Sequence, residues 1–391
     1  MDNVIELSTV ITDIAAGPFG SNLKVECFVP SGFPIIDGAN LKGFKVTDNV
    51  TKFVTEEKAR SLSRSIAHRG DVIVTISGTI GQIAYIPEDS LYDEYLCSQR
   101  QFRVSFDSSM VYVPYLVFYF HTFEGQNKIL SFANQTGVPA LSQPLKNFKK
   151  IRLCLPSFQE QRRIASIVET LNDKIENNIK INDHLEQQAA TLFKALFVDL
   201  APFDGTMPPN WTISTLGDVT EMGAGGDKPK ESSPVKTPLC PYPIYSNGIN
   251  DYGLYGYTNE PKIKVESVTV SARGTIGYVC LRHIPYVPIV RLVTLIPDTK
   301  VLSAKYLYLY LRLLHITGTG TTQQQLTVPD FRKTEIVIPD KNTMDSFTET
   351  VTPLFERIWA NEDENTKLAE VRDALLPKLM SGEIDVSAIQ L

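Results

Sequence analysis

"SFQEQRRIASIVETLNDKIENNIKINDHLEQQAATLFKALF", residues 157–197, predicts a long helix with an apolar seam. Ser157 stands three residues before Glu160, which is the spacing of a capping box at a helix start. The seam positions are spaced alternately by four and three residues, a heptad pattern typical of helices that pack together. They are Ile164, Val168, Leu171, Ile175, Asn178, Asn182, Leu185, Ala189, Leu192 and Leu196.

The same seam recurs 183 residues later and predicts a second long helix. Its positions are Phe347, Val351, Leu354, Ile358, Asn361, Asn365, Leu368, Arg372, Leu375 and Leu379. Only Arg372 interrupts the apolar pattern, and we expect the neighbouring Val371 to supply the apolar contact. Pro353 predicts a kink or a new helix start, and Pro377 predicts a bend or an end.

Both seams carry two asparagines at matching central positions. A polar residue in a seam lowers stability but selects one register, because it needs a polar partner on the facing helix. The alternative is that the asparagines are solvent-facing breaks in a loosely paired helix. Their presence in both copies favours the register interpretation.

A second repeat lies upstream of each helix. Gly-Thr-Ile-Gly occurs in "SGTIGQIAYI" (residues 77–86) and in "ARGTIGYVCL" (residues 272–281). "GPFGSNLK" (residues 17–24) parallels "GAGGDKPK" (residues 223–230), and "FPIIDGANLKGF" parallels "YPIYSNGINDYG". The repeating unit is therefore a mixed α+β domain followed by a long helix. We expect a first domain over 1–155, a helix over 156–200, a second domain over 201–340 with a linker at 201–211, and a last helix and tail over 341–391.

Composition indicates a soluble, multidomain protein. The 391 residues are 43% hydrophobic and 21% charged, and no apolar run is long enough to span a bilayer. The N-terminus lacks the pattern of a signal peptide, and five scattered cysteines form no C-x-x-C pair, so we expect a cytoplasmic protein. The net charge of −6 sits in the helical segments, since residues 1–155 carry 15 basic and 15 acidic side chains and residues 206–340 carry 13 and 11. Local charge therefore does not exclude a DNA partner.

Signals of catalysis are weak. The sequence contains no P-loop, and its five histidines lack metal-ligand spacing, so we predict no catalytic residues, no metal and no cofactor on this chain. Glu56, Glu57 and Lys58 loosely match a nuclease carboxylate–lysine set, but their context favours a solvated helix. A lone Gly-x-x-Gly could cradle a phosphate; duplicated between strand-like runs, it favours a tight turn.

The two-domain, two-helix plan resembles the specificity (S) subunit of Type I restriction–modification systems. The resemblance covers essentially the whole chain and is strongest in "GDVIVTISGTIGQIAYIP" (residues 70–87), "LPSFQEQRRIASIVETLNDKIE" (155–176) and "LLPKLMSGEIDV" (375–386). It implies two pseudo-symmetric target-recognition domains, separated by two long helices that pair as an antiparallel coiled coil. Each domain would recognise one half of a bipartite duplex. The second copy lacks the Glu-Gln of the first helix start and has "PDKNTMDSF" instead.

The resemblance also implies partners. Two methyltransferase subunits would bind S-adenosylmethionine and dock on the helices, and a motor–nuclease subunit would use ATP. Candidate docking residues on the outer helix faces are Gln161, Arg162, Arg163, Glu169, Lys174, Gln187 and Gln188. The span from Ile164 to Leu196, about 48 Å at about 1.5 Å per residue, suits two half-sites between one and two turns of B-DNA apart.

Polar residues of the predicted loops are the candidate DNA-binding residues. Gln and Asn suit adenine edges, Arg suits guanine, and Lys suits phosphates. In the first domain they are Ser21, Asn22, Lys24, Ser77, Thr79, Gln135, Thr136 and Gln143. In the second they are Lys228, Lys230, Ser246, Asn247, Arg273, Thr275, Thr319, Gln323 and Gln324.

Two alternatives to a Type I specificity subunit stay open. One is the DNA-recognition subunit of a related modification or phage-exclusion system without the nuclease. The other is an adaptor protein with two binding domains on a coiled-coil spacer and no nucleic-acid partner.

Overall fold

A computed structural model describes residues 4–134, 137–318 and 325–389. Two compact units comprise Met1–Asn177 with Glu364–Leu391, and Asn178–Asp363. We call them unit 1 and unit 2. Within the described residues, no helix has both the length and the apolar character needed to cross a membrane.

Unit 1 contains a mixed α/β domain of short strands. The strands are β1 (Val4–Glu6), β2 (Ile11–Ala16), β3 (Phe33–Ile36), β4 (Phe53–Val54), β5 (Ile66–His68), β6 (Val72–Thr75), β7 (Ile83–Tyr85), β8 (Glu94–Cys97), β9 (Gln101–Phe106), β10 (Ala133–Asn134), β11 (Ala140–Leu141) and β12 (Arg152–Cys154). The helices are α1 (Glu56–Arg60), α2 (Val113–His121), α3 (Phe123–Leu130), α4 (Pro144–Lys149) and α5 (Phe158–Phe193), which continues into unit 2.

Unit 2 contains a second mixed domain. Its strands are β13 (Thr212–Thr215), β14 (Thr220–Ala224), β15 (Ser232–Ser233), β16 (Tyr242–Tyr245), β17 (Leu254–Thr258), β18 (Ser267–Val270), β19 (Val279–Arg282), β20 (Val287–Pro288), β21 (Val293–Pro297) and β22 (Glu335–Ile338). Its helices are α6 (Leu216–Val219), α7 (Ala304–Leu313), α8 (Val328–Phe331) and α9 (Lys341–Met380), which continues into unit 1.

The two domains share one strand plan, which confirms the internal repeat. One sheet has the order β2-β9-β6-β7 in unit 1 and β14-β21-β18-β19 in unit 2. In the other sheet, β3 runs parallel to β8, and β16 runs parallel to β20. The central strands are buried because their β-branched and aromatic side chains fill the core between the sheet and the helix α2 or α7. The mixed α/β class predicted from the sequence is confirmed.

The predicted N-cap of the first long helix is present, whereas Pro353 does not restart the second. The Ser157 hydroxyl accepts a hydrogen bond from the Glu160 backbone N–H at 3.3 Å, as expected for an N-cap. The helix α9 runs without interruption through Pro353 and Pro377 to Met380, so the predicted restart at Pro353 is wrong. Pro353 and Glu349 are both exposed, and water can therefore satisfy the Glu349 carbonyl that a proline leaves without its N–H partner.

Within each unit the two long helices pair in antiparallel fashion. In unit 2, Asn361 donates to the Asn182 side-chain oxygen at 2.7 Å, and Asn182 donates to the Ile358 carbonyl at 3.2 Å. In unit 1, Lys174 forms a 3.3 Å ion pair with Glu364. The amide pair is what a register-selecting polar contact in a seam requires.

The seam of unit 1 tolerates an arginine. Arg372 donates to the Asn172 side-chain oxygen at 2.9 Å, and its guanidinium lies 5.4 Å from the centre of the Phe44 ring. Val371 is 47% exposed, so it does not supply the contact expected of it. The long arginine side chain instead packs its own aliphatic part and places its charge against polar and aromatic groups.

Most predicted seam residues are buried or half-buried, with one exception. Leu192 is 37% exposed, whereas Phe193 and Phe197 are buried in the core of unit 2. Spacing of four residues from Ala189 continues through Phe193 to Phe197, and a π-helical segment (Lys194–Val198) extends α5. Because a straight helix drifts relative to a 3.5-residue repeat, the buried face shifts by one position. The buried or half-buried seam residues are Ile164, Val168, Leu171, Ile175, Asn178, Asn182, Leu185, Ala189, Leu196, Phe347, Val351, Leu354, Ile358, Asn361, Asn365, Leu368, Arg372, Leu375 and Leu379.

The asparagine pair of unit 2 supports a stability prediction. The substitution Asn361→Leu should lower the free energy of unfolding by about 1–3 kcal/mol, because it leaves the Asn182 side-chain oxygen without its donor. The double variant Asn182→Leu/Asn361→Leu should recover most of that loss, since both polar groups are then removed. Urea denaturation followed by circular dichroism measures both. A single variant as stable as the wild type would contradict the role of the pair.

Candidate nucleic-acid interface

Unit 1 carries a polar cleft where loops from both of its four-stranded sheets meet. We call it the amide cleft, after Gln82, Gln99 and Gln101. The residues that line it are Leu23, Phe28, Ile35, Asp37, Gly38, Lys52, Thr75, Ser77, Gly78, Thr79, Gln82, Ser98, Gln99, Arg100 and Gln101. The first Gly-Thr-Ile-Gly turn, which joins β6 to β7, therefore lies at the wall of this cleft.

The three glutamines hold the loops of the cleft together. Gln82 donates to the Gly38 carbonyl at 3.0 Å, which ties β7 to the end of β3. Gln99 donates to the Leu23 carbonyl, which ties the turn between β8 and β9 to the loop after β2. Gln101 reaches the Thr75 hydroxyl at 3.4 Å. Gln101 is 1% exposed and also accepts from the Ser98 hydroxyl, and the Gln82 side-chain oxygen accepts from the Thr75 hydroxyl at 3.1 Å, so both amides act inside the domain. Gln99 is exposed, and its amide could bind a base edge.

The charges at the cleft are a carboxylate and two cations. Lys52 forms a 2.6 Å ion pair with Asp37. Burial acts to raise the pKa of Asp37, but the Lys52 ammonium and the Ala39 backbone N–H outweigh it and hold that pKa below its ordinary value. Arg100 lies exposed beside the glycine turn, with its guanidinium 3.6 Å from where a side chain on Gly78 would begin. The cleft therefore presents a net positive charge to an anionic partner.

The structure brings two of the predicted residues of unit 1 to the cleft wall. Ser77 and Thr79 line it directly. Ser21, Asn22 and Lys24 are exposed on the adjoining loop, which Gln99 anchors. Gln143 is exposed, adopts a left-handed backbone conformation at φ 42° and does not line the cleft. The predicted residues Gln135 and Thr136 lie outside the described residues.

The predicted residues of unit 2 lie on the corresponding loops. Arg273 and Thr275 are exposed at the second glycine turn, and Arg273 donates to the Gln325 side-chain oxygen at 3.0 Å. The Lys228 ammonium lies 5.2 Å from the centre of the Tyr255 ring. Lys230 is exposed, and Ser246 is half-buried. The predicted residues Thr319, Gln323 and Gln324 lie outside the described residues.

The side-chain oxygen and nitrogen of Asn247 are both hydrogen-bonded within the protein. Its oxygen accepts from the Ala272 backbone N–H at 2.7 Å, and its nitrogen donates to the Val290 carbonyl at 2.6 Å. The residue thus joins the loop after β16 to the second glycine turn and to the turn between β20 and β21. That role in unit 2 corresponds to the loop-joining role of Gln82 in unit 1.

Backbone hydrogen bonds show which loop positions correspond. Gly17 donates to the Gln101 carbonyl at 2.8 Å, and Gly225 donates to the Leu292 carbonyl at 2.8 Å. Gly17 therefore matches Gly225, two residues beyond the pairing of residue 17 with residue 223 that the sequence suggests. A side chain would begin 1.8 Å from the Ser98 carbonyl at Gly17 and 2.8 Å from Ile289 at Gly225, so both positions exclude one. At each, the turn before the central strand crosses directly over the glycine.

Sequence reasoning missed the residues that this turn carries. Gln99 and Arg100 stand there in unit 1, and Arg291 stands at the position of Arg100 in unit 2. The sequence signal for these residues was an arginine shared by "QRQF" (residues 99–102) and "VRLV" (residues 290–293). In both stretches the arginine stands one residue before the first buried residue that leads into the strand.

The expected outer helix faces are only partly exposed. Gln161 is fully buried: its amide accepts from the Tyr112 backbone N–H at 2.8 Å and donates to the Met110 and Pro156 carbonyls. It cannot contact a partner, because it fastens α5 to the domain of unit 1. Glu169 is half-buried, accepts from the Tyr112 hydroxyl at 3.2 Å, and has its pKa raised by burial.

The other predicted docking residues vary in exposure. Arg162, Gln187 and Gln188 are exposed, Arg163 is half-buried, and Lys174 is exposed but paired with Glu364. Within residues 4–134, 137–318 and 325–389, no group of three or more His, Cys, Asp or Glu side chains could hold a metal ion.

Comparison with known proteins gives consistent matches. A family model described as the Type I restriction modification DNA specificity domain matches residues 30–187 and 208–370. The chain is similar to the Type I restriction enzyme MjaIX specificity subunit of Methanocaldococcus jannaschii, with 26% identity across 86% of this chain and 82% of that protein. It is also similar to the Type I restriction enzyme HindI specificity subunit of Haemophilus influenzae, with 24% identity across 78% of this chain and 84% of that protein. The crystal structure of a Type I restriction–modification S subunit from M. genitalium shares the fold, with a TM-score of 0.58 and 15% identity over 96% of this chain and 95% of that one.

The crossing of the turn over Gly225 leads to a matched pair of substitutions. Gly225→Ala should lower the free energy of unfolding by about 1–3 kcal/mol, because its new methyl group would meet the Ile289 backbone at 2.8 Å. Gly226→Ala should change it by less than about 0.5 kcal/mol, since nothing lies within 4 Å of that position. Thermal unfolding midpoints compare the two. Equal effects would contradict the close approach of the turn.

Proposed function

The chain belongs to the Type I restriction–modification DNA specificity family, and we propose that each mixed domain recognises one half of a bipartite duplex. The observation that carries the proposal is the duplicated loop face. The same loops leave the same strand ends in both domains, while their side chains differ. Recognition of two different half-sites by one duplicated scaffold requires shared loop positions that carry different side chains.

Different chemistry at the two faces indicates different base preferences. The amide cleft of unit 1 offers the exposed Gln99, and glutamine pairs well with adenine edges in the major groove. The glycine turn of unit 2 offers Arg273, which pairs well with guanine. The exposed Lys24 and Lys230 suit phosphates and would position each domain on the duplex.

The chain supplies recognition, and we assign the chemistry to its partners. Two methyltransferase subunits would bind S-adenosylmethionine, methylate adenine, and dock on exposed helix residues such as Arg162, Gln187 and Gln188. A motor–nuclease subunit would join through that complex and use ATP. Such a complex acts on genomic DNA, so the chain would work in the cytoplasm.

A domain exchange tests the proposed function. Residues 1–155 are replaced by the corresponding domain of another family member, and the chain is expressed with its methyltransferase partner. Modified adenines, mapped by single-molecule sequencing, should show one new half-site and one unchanged half-site, because each domain would act independently. Exchange of residues 201–340 is the matched control and should change only the other half-site. A change in both half-sites after either exchange would contradict the proposal.

A further inference from the structure

An arginine occupies the same place in both units, in the turn just before an inner strand of the antiparallel four-stranded sheet. Arg100 precedes β9, and Arg291 lies two residues before β21. The glycine hydrogen bonds to the carbonyls of Gln101 and Leu292 make the two arginines structurally equivalent, because each stands one residue earlier. Each belongs to the turn that crosses over Gly17 or Gly225.

Both guanidinium groups are exposed and carry an uncompensated charge. Among the described residues, the arginines that form ion pairs are Arg60, Arg69, Arg103, Arg152, Arg312 and Arg372. Arg100 and Arg291 are not among them. The contrast with Arg103, on the strand that follows Arg100, is direct, because Arg103 is buried and bonded to Asp13 at 2.6 Å.

The turn of unit 2 is held in an unfavourable backbone conformation. Val290 has φ 53° and Arg291 has φ 66°, in the left-handed region that non-glycine residues seldom adopt and β-branched residues adopt least. The Asn247 amide, which bonds to the Val290 carbonyl at 2.6 Å, helps to hold it there. Strained positions of this kind cluster at sites of function, which marks this turn as more than a connection.

The side chains around the arginines are not alike in the two units. By backbone register, Ser77 of unit 1 is equivalent to Arg273 of unit 2, and each stands just before its glycine turn. Gln99 of unit 1 is equivalent to Val290 of unit 2, and each stands next to the arginine. The scaffold, the glycine turn and the arginine are common to both faces, whereas the adjacent side chains differ. A duplex has one feature that two different half-sites must share, and that feature is the phosphodiester backbone.

We propose that Arg100 and Arg291 each bind a backbone phosphate at equivalent points of the two half-sites. They would contribute affinity and position, while the neighbours that differ, Ser77 and Gln99 against Arg273 and Val290, set base preference. The inference rests on the proposed recognition of DNA by both domains. It assigns the two arginines a role in positioning that is separate from sequence readout.

The experiment uses the chain assembled with its methyltransferase partner. It compares two duplexes: one with the target sequence that the complex modifies, and one with that sequence scrambled. Arg100→Ala and Arg291→Ala should each weaken binding of both duplexes by a similar factor, about five- to ten-fold at physiological salt. Each should also reduce the slope of log affinity against log salt by about 0.9, because one phosphate contact is lost. The preference for the target over the scrambled duplex should not change.

Two further variants separate a phosphate contact from a base contact. Arg100→Lys and Arg291→Lys should restore most of the affinity, since lysine binds phosphate as a point charge but lacks the planar fork that pairs with guanine. Lys300→Ala is the control, because Lys300 is an exposed cation at the opposite end of β21 and should not affect binding.

Three results would overturn the inference. They are an unchanged salt slope in the alanine variants, a lysine variant that loses target preference, and a changed base in the modification pattern. Failure of the proposed function is distinguishable, because the wild-type complex would then fail to prefer its target duplex before any arginine is substituted.

Discussion

Each compact unit depends on an apolar contact between one half of α5 and one half of α9, onto which the sheet of its mixed domain packs. In unit 1, Val168 and Leu379 belong to the same buried core as the strands β6 and β9. In unit 2, the Phe193 ring lies 5.9 Å from the Phe347 ring and 5.2 Å from the Tyr306 ring of α7. Because the helix pair and the domain share one core, neither can shift without disrupting the other. The buried Gln161 amide adds a directional link of the same kind.

This shared core lets the loop faces change without loss of the fold. The buried strands, the glycines beneath the turns and the glycine turns themselves recur in both domains, whereas the exposed loop residues differ. Hydrogen bonds from Gln82 in one unit and Asn247 in the other hold equivalent loops by different means. A scaffold that tolerates different loop chemistry on an unchanged core is what duplication of a recognition domain requires, since each copy can then acquire its own target.

Much of the fold could be predicted from the sequence because its signals are periodic or duplicated. The seam, its asparagines and the strand–turn–strand character of the glycine motifs follow from local patterns. Leu192 and Val371 were misplaced for different reasons. A heptad template does not follow the drift of the buried face to Phe193, and it does not foresee that Arg372 itself packs at the seam position. The restart expected at Pro353 failed because an exposed helix face can hydrate the freed carbonyl.

The candidate interface was harder to predict because it is assembled from segments far apart in the chain. The amide cleft combines loops near residues 20, 38, 78 and 99, and no spacing rule joins them. Gln101 lies within a buried strand and has the internal role that its position suggests, whereas Gln99 belongs to a two-residue turn that carries no motif of its own. Asn247 has the residue type of a base-reading group, yet the loops of its own domain occupy both ends of its amide.

The central claim is that the two loop faces contact different halves of one target. A photoreactive amino acid placed at Thr79 or at Thr275, equivalent exposed positions in the two glycine turns, tests it most directly. Within the assembled complex on its target duplex, the first should crosslink to bases of one half-site and the second to bases of the other. Crosslinks from both positions to the same half-site, or to the partner subunits with none to DNA, would contradict the account.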